Sequence, residues 1–324
     1  MTLESKAETV SRFSRILANE EIREEVNAIF RSRWGGEPAE SRIRAIRVHG
    51  NRCTFEISGK TETGWRGVIG KLHTADRSDI FAAMKSIFQS GFGAEADFGV
   101  AEPLGYVRRF ALLLEEKVEG VQAKEAFIIA DVIERRAIAE RCAEWLAKFH
   151  RFAPRAGAFH GPQELLVFPR HWTLQVKTLA RGLDAKCETL LRKLEEAARE
   201  RLNFEACAGH GSYIPSHVML NGARTVIIDL DEHDLADPRR DLAWFVVSLE
   251  RLGLKEFGSL RFYDDAIKRF LDAYTAKAGE EILEGLSFYR AMEYMHRARR
   301  DVYKRSPPDP ERAETMLDEG LRTL

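Results

Sequence analysis

Residues 209–244 read GHGSYIPSHVMLNGARTVIIDLDEHDLADPRRDLAW, and this stretch decides how the rest of the chain is read. Its apolar run, Thr225 to Leu230, predicts a short strand set among loops. Asp229 falls at the end of that strand, a place where carboxylates are often functional. His210, Ser212 and His217 come just before it. Asp231, Glu232, His233, Asp234 and Asp237 follow as an acidic cluster, which either attracts a cationic substrate or is a solvated loop.

Upstream of this stretch the hydrophobic period changes twice. Residues 8–34 repeat apolar positions at three and four (Val10, Phe13, Ile16, Leu17; Ile22, Val26, Ile29, Phe30), which predicts one or two helices ended by Gly35, Gly36 and Pro38. The period then falls to two. Ile43 to Val48 and Arg52 to Ser58 read as a hairpin turning at His49-Gly50-Asn51, and a second hairpin leads through Gly59 to Gly64 into Trp65–Leu72. A helix at about 78–90 and a strand at Phe110–Leu114 follow. Beyond residue 130 helices dominate: 133–150, a long charged region from Val176 to Asn203, then 242–252, 258–277, 281–303 and 309–323. The expected organisation is a helical extension (1–36), a strand-rich lobe (37–116) and a larger helical lobe (117–324).

Composition sets the outer limits. The 324 residues are 44% apolar and 31% charged, ordinary for a globular protein and too apolar for a disordered one. Lys plus Arg (50) nearly cancels Asp plus Glu (51), so no global charge pulls the chain toward nucleic acid or an anionic membrane. Cys53, Cys142, Cys187 and Cys207 are far apart with no CxxC pair, which predicts reduced thiols and a cytoplasmic setting. The polar N-terminus does not read as a signal peptide, and no apolar run approaches the roughly 20 residues a membrane span needs.

Several parts of the 209–244 stretch match one known signature in order and spacing: His210-Gly211, Pro215, Ile228-Asp229, Asp237-Pro238 and Asp241-Leu242-Ala243. The chain thereby resembles the aminoglycoside phosphotransferase and choline kinase-like family. Val68-Ile69-Gly70-Lys71 looks like that family's lysine-bearing strand, Leu112 to Gly120 like its hinge, and Leu146 to His150 like its Leu-His helix end. The resemblance implies an α+β, bilobal, protein-kinase-like fold that uses ATP and Mg2+. On it, Lys71 places a cation on the ATP phosphates and Asp229 binds the metal. His49-Gly50-Asn51, with Gly50 at its centre, covers the phosphates, and the backbone of Glu115, Glu116 and Lys117 meets adenine. His210 and Asp241 brace the catalytic loop.

Three departures accompany the match. Ser212 stands where the family has its catalytic aspartate; a serine hydroxyl is no general base near pH 7, although it can hydrogen-bond a substrate. His217 stands at the metal-binding asparagine, either as a ligand or as a simple loop histidine. The helix at 78–90 offers no glutamate to pair with Lys71; Asp79 would have to reach further. Two functions compete on these residues. The first is an ATP/Mg2+-dependent phosphotransferase acting on a small-molecule hydroxyl, slowed by loss of the base, with Asp231 or Asp234 standing in. The second is a pseudokinase that binds a nucleotide or a protein partner without transfer. Nucleotidyl transfer on the same fold is a third possibility with no residue arguing for it.

Overall fold

The computed structural model describes residues 18–48, 51–180, 182–199 and 205–324. The expected helical positions before residue 18, and His49 and Gly50 of the first turn, lie outside the described residues. The chain divides into two compact units, 1–120 with 221–228, and 121–220 with 229–324.

In the first unit, helix α1 (Glu20–Trp34) begins where the Asn19 side chain accepts from the Glu21 amide and ends at Gly35, whose φ of 81° is the left-handed cap that glycine adopts without strain. Its apolar stripe, Ile22, Val26, Ile29 and Phe30, packs into one core with Phe55, Val68, Leu112 and Leu114. Each such side chain taken out of water contributes about 1.5–3 kcal/mol before entropy costs. The strands are β1 (Ser41–Val48), β2 (Arg52–Thr61) and β3 (Gly64–His73), then, after helix α2 (Ser78–Gln89), β4 (Phe98–Val100), β5 (Pro103–Val107) and β6 (Leu112–Glu116); the named partners come from β2, β3 and β6. The antiparallel sheet runs in the order β1-β2-β3-β6-β5. The strand expected at Phe110–Leu114 starts two residues later, because Arg108–Phe110 is a 3-10 turn ended by Ala111 at positive φ. Gly70 lies against the Phe55 ring, 2.3 Å from where a Cβ would sit, so the residue beside Lys71 has no room for a side chain.

The second unit opens with β7 (Val121–Gln122), α3 (Ala123–Ile129) and α4 (Val132–Phe152). Asp131 and Glu134 start α4 with a reciprocal capping box. Trp145 within it stacks on Phe149 at 4.8 Å and on Tyr213 at 5.6 Å. The short α5 (Pro162–Leu165) precedes α6 (Val167–Leu179) and α7 (Asp184–Ala197). The single helical region expected over 176–203 is thus two helices, and Gly182, at φ 103°, lies in the break between them. Strand β8 (Cys207–Gly209) pairs with β11 (Asp234–Ala236), and β9 (Val218–Asn221) pairs with β7; β10 (Arg224–Ile227) pairs in parallel with β4 in the first unit. The expected strand to Leu230 therefore stops at Ile227.

Helix α8 (Pro238–Phe257) starts four residues before the expected position. Asp237 is its N-cap, accepting from the Arg239 amide at 2.9 Å, and Pro238 takes the first helical position, where its missing N–H costs nothing. Helices α9 (Asp264–Ala278), α10 (Leu286–Tyr303) and α11 (Pro310–Thr323) complete the unit, the expected 281–303 helix beginning only after a 3-10 turn at Glu280–Leu283. All four cysteines are free and buried, with burial pushing the Cys142 and Cys187 thiols up to about 12. Among the described residues no helix is long and apolar enough to cross a membrane.

Candidate active site

Lys71 lies on β3 with only 3% of its surface exposed, and its Nζ is 3.1 Å from Glu115 Oε1 on the neighbouring strand β6. The register pairs Lys71 with Leu113 and Ile69 with Glu115, so the two charges are diagonal neighbours on one face of the sheet. Pairing a buried ammonium with a buried carboxylate offsets part of the desolvation cost of each. Lys71 thus has a carboxylate partner, but from β6 and not from α2. Asp79, on α2, is exposed and pairs with Arg77 at 3.6 Å. Glu115, expected to offer only its backbone, contributes its side chain as well.

The residues after Glu115 are anchored within the same unit. Glu116 Oε2 accepts from the Glu102 amide at 3.2 Å. Lys117 Nζ is 2.9 Å from Glu56 Oε1. Hydrogen bonds from Arg44, then from Lys117, pull the Glu56 carboxyl down to about 2 against the effect of burial.

The second unit holds the loop after β8, and Asp241 in the first turn of α8 organises it. Its carboxylate accepts from the His210 amide (2.6 Å) and the Gly211 amide (3.0 Å), and His150 Nε2 lies 3.3 Å away. His150 is oriented in turn by Tyr274, whose hydroxyl is 2.7 Å from Nδ1. Burial opposes ionisation of Asp241, but the His150 hydrogen bond and the charges of Arg240, His150 and His210 outweigh it and hold the carboxyl well below its ordinary range. Gly211 passes close under the neighbouring turn at φ 82°, where a Cβ would lie 2.0 Å from the Glu232 carbonyl oxygen. A Gly211→Ala variant is therefore expected to lose about 2 kcal/mol or more of stability and to melt at lower temperature in a calorimetric scan.

Beyond Gly211 the loop turns back on itself. The Ser212 amide donates to His210 Nδ1 at 3.3 Å, and the Ser212 carbonyl accepts from His217 Nδ1 at 3.0 Å. His217 Nδ1 thus donates to the loop carbonyl, and its Nε2 lies 3.4 Å from Asp229 Oδ2. Asp229 itself holds φ 66° and ψ 54°, a left-handed conformation uncommon for a residue with a side chain. The structure thus brings Ser212, His217 and Asp229 together over the frame made by His210 and Asp241. Ser212 Oγ makes no hydrogen bond among the described residues, so no base is in place to activate it as a nucleophile.

Asp231, expected as a stand-in base, is only 3% exposed in the 3-10 turn Leu230–Glu232. A substrate hydroxyl reaches it only if that turn moves. Asp234 is committed to Arg240, which grips both carboxylate oxygens. Asp237 caps α8 and accepts from the Tyr289 hydroxyl at 2.9 Å. His233 donates from Nδ1 to the Gly209 carbonyl at 2.8 Å, and burial lowers its pKa, which favours the neutral ring. Of Asp231, Glu232, His233, Asp234 and Asp237, Glu232 alone is exposed. Apart from Glu232, the cluster is more enclosed than a solvated loop, and Asp234 and Asp237 are engaged in internal contacts.

Among the described residues no group of three or more His, Cys, Asp or Glu side chains could hold a metal ion. His217 Nε2 and Asp229 Oδ2 supply two adjacent donors. The Asp229 carboxylate fits a magnesium ion of the kind that takes one or two carboxylates and completes its shell with phosphate oxygens and water. An imidazole donor also suits softer divalent ions.

The sequence profile of the Phosphotransferase enzyme family matches residues 92–289. No curated protein matches the chain at a significant level. Among solved structures, a putative aminoglycoside phosphotransferase from Ralstonia eutropha is similar at 15% identity and a TM-score of 0.64, covering 93% of this chain and 97% of its own. A choline/ethanolamine kinase family protein from Mesorhizobium loti is 15% identical with a TM-score of 0.61, over 97% of this chain and 94% of its own. A thermostable mutant of the aminoglycoside phosphotransferase APH(4)-Ia, in ternary complex with ADP and hygromycin B, is 14% identical with a TM-score of 0.62, over 92% and 98%. These likenesses show the α+β, protein-kinase-like fold. With more than half of its length under the family profile, the chain belongs to the Phosphotransferase enzyme family.

Proposed function

We propose that this protein is an ATP- and Mg2+-dependent phosphotransferase acting on a small-molecule hydroxyl, slow because a serine occupies the position of the catalytic base. The observation that carries the reading is Asp229. A carboxylate held in a left-handed backbone conformation at a strand end, with an imidazole nitrogen 3.4 Å away, supports a functional role for it. Lys71, desolvated and paired with Glu115, is the cation for the ATP phosphates. The backbone of Glu115 to Lys117 faces adenine. Asp229 and His217 are the residues that would hold Mg2+, whose charge would neutralise that of the phosphates. Ser212 orients the acceptor hydroxyl by a hydrogen bond. Phosphoryl transfer tolerates such a site because its loose transition state depends more on positioning and electrostatics than on proton removal. Four buried free thiols agree with a cytoplasmic setting.

One observation favours the second reading, a nucleotide-binding pseudokinase: neither carboxylate expected to stand in for the missing base is available, since Asp231 is buried and Asp234 is held by Arg240. Thermal stability in ATP, with and without Mg2+, tests what the two readings share. A magnesium-dependent rise in melting temperature, of the size RT ln(1 + [L]/Kd) implies, is expected in wild type and should vanish in Asp229→Ala. No rise at millimolar ATP would remove Lys71 and Asp229 from any nucleotide site. ADP release over a panel of hydroxyl acceptors then separates a slow enzyme from a pseudokinase.

A further inference from the structure

The second unit contains a cavity of about 180 Å³ that the reaction above does not use. Five cationic side chains line it: Lys124 from α3, Arg251 and Lys255 from α8, Arg297 from α10 and Arg312 from α11. No acidic side chain lines it. Ser216 completes the wall, within the turn Pro215–His217 whose last residue faces Asp229.

The surrounding acids pair with three of these five cations and leave two. Asp301 takes Arg251 in a two-pronged pair at 2.6 and 2.8 Å, Glu293 takes Arg297, and Glu256 takes Lys255. Lys124 and Arg312 make no ion pair among the described residues, and the Arg312 Nε is buried without a hydrogen-bond partner. Arg297 is only 8% exposed, held by Ser248 Oγ at 2.9 Å and by the face of Trp244 at 5.0 Å. The guanidinium groups of Arg251 and Arg297 are therefore fixed by packing before any ligand arrives. Burial is the largest cause lowering the pKa of both Arg297 and Arg312; the charge of Arg251 comes next for Arg312, while for Arg297 Glu293 opposes burial and Arg300, then Arg251, add to it. Gathering like charges around one small cavity is unfavourable unless an anion brings the opposite charge, and charge-assisted hydrogen bonds from several donors are what such an anion would gain.

We infer that this cavity is a second ligand site, one that binds phosphate, either as the free ion or as the terminal group of a small phosphomonoester. The inference stands independently of the nucleotide site, because every side chain it uses lies in the second unit and none is Lys71, Ser212, His217 or Asp229.

The experiment is a phosphate titration read by melting temperature, against chloride at matched ionic strength, with glycerol 3-phosphate as the ester. Wild type should show a saturating rise with phosphate that chloride does not produce. Lys124→Gln and Arg312→Gln, both at partly exposed positions, should each weaken the apparent affinity about tenfold or more, as loss of one charge-assisted hydrogen bond implies. Asp229→Ala should leave the affinity unchanged. Tighter binding of the ester than of the free ion would identify the ester as the ligand, and the reverse order the ion. No phosphate-specific rise, wild-type affinity in both glutamine variants, or a rise abolished by Asp229→Ala would overturn the inference.

Discussion

A Ser212→Asp variant is expected to transfer phosphate to an accepted hydroxyl about 10²–10⁴-fold faster than the wild-type chain, the usual contribution of a positioned general base. The substitution asks little of the loop. The Ser212 amide is bound to His210 and its carbonyl to His217, while the hydroxyl is bonded to nothing among the described residues, so only the side chain changes. The frame beneath it is stiff, because Asp241 is tied to two successive loop amides and flanked by His150. A carboxylate at 212 would accept the proton that the acceptor hydroxyl releases as its bond to phosphorus forms. Steady-state ADP formation over a panel of amino-alcohol and amino-sugar acceptors is the measurement. A variant that still binds ATP with Mg2+ but transfers no faster than wild type would decide for the pseudokinase reading.

How much of this site is legible in the sequence depends on how local each feature is. Helix α1 is legible because Ile22, Val26, Ile29 and Phe30 share one stripe and Gly35 ends it. The start of α8 is also set locally, by a side-chain cap at Asp237 and a proline at the first helical position, yet the apolar period alone places it at 242, four residues late. The partner of Lys71 is not legible in this way. Glu115 reaches it only through the pairing of β3 with β6, a register set by strands some 40 residues apart in the chain, as Lys71 opposite Leu113 shows. Looking along α2 for a glutamate could not reveal it. The acidic cluster misleads for a related reason. A run rich in Asp and Glu reads as solvated, yet Arg240 sits six residues beyond Asp234 and one helical turn folds it back. The phosphate cavity is the extreme case, since its five cations come from four helices and form no pattern in the chain.

The Lys71–Glu115 pair supplies the other large effect, because it separates what Lys71 does for the fold from what it does for ATP. Lys71→Met is expected to lower stability by about 3–5 kcal/mol, the usual cost of removing one partner of a buried ion pair. Both partners are 3% exposed, so water cannot take over the role of the missing ammonium without entering the sheet. The double variant Lys71→Met with Glu115→Leu removes both charges and keeps comparable volume, and should recover most of that loss, since buried pairs replaced by apolar side chains are often neutral or better. Chemical denaturation of the single and double variants measures this difference directly. The magnesium-dependent stabilisation by ATP should be absent in both, because neither retains the cation for the phosphates. A double variant that regained stability and ATP binding together would show Lys71 to be a structural half of an ion pair and nothing more. A single variant as stable as wild type would mean that Glu115 is not stranded without Lys71, which the 3.1 Å separation and the burial of both groups argue against.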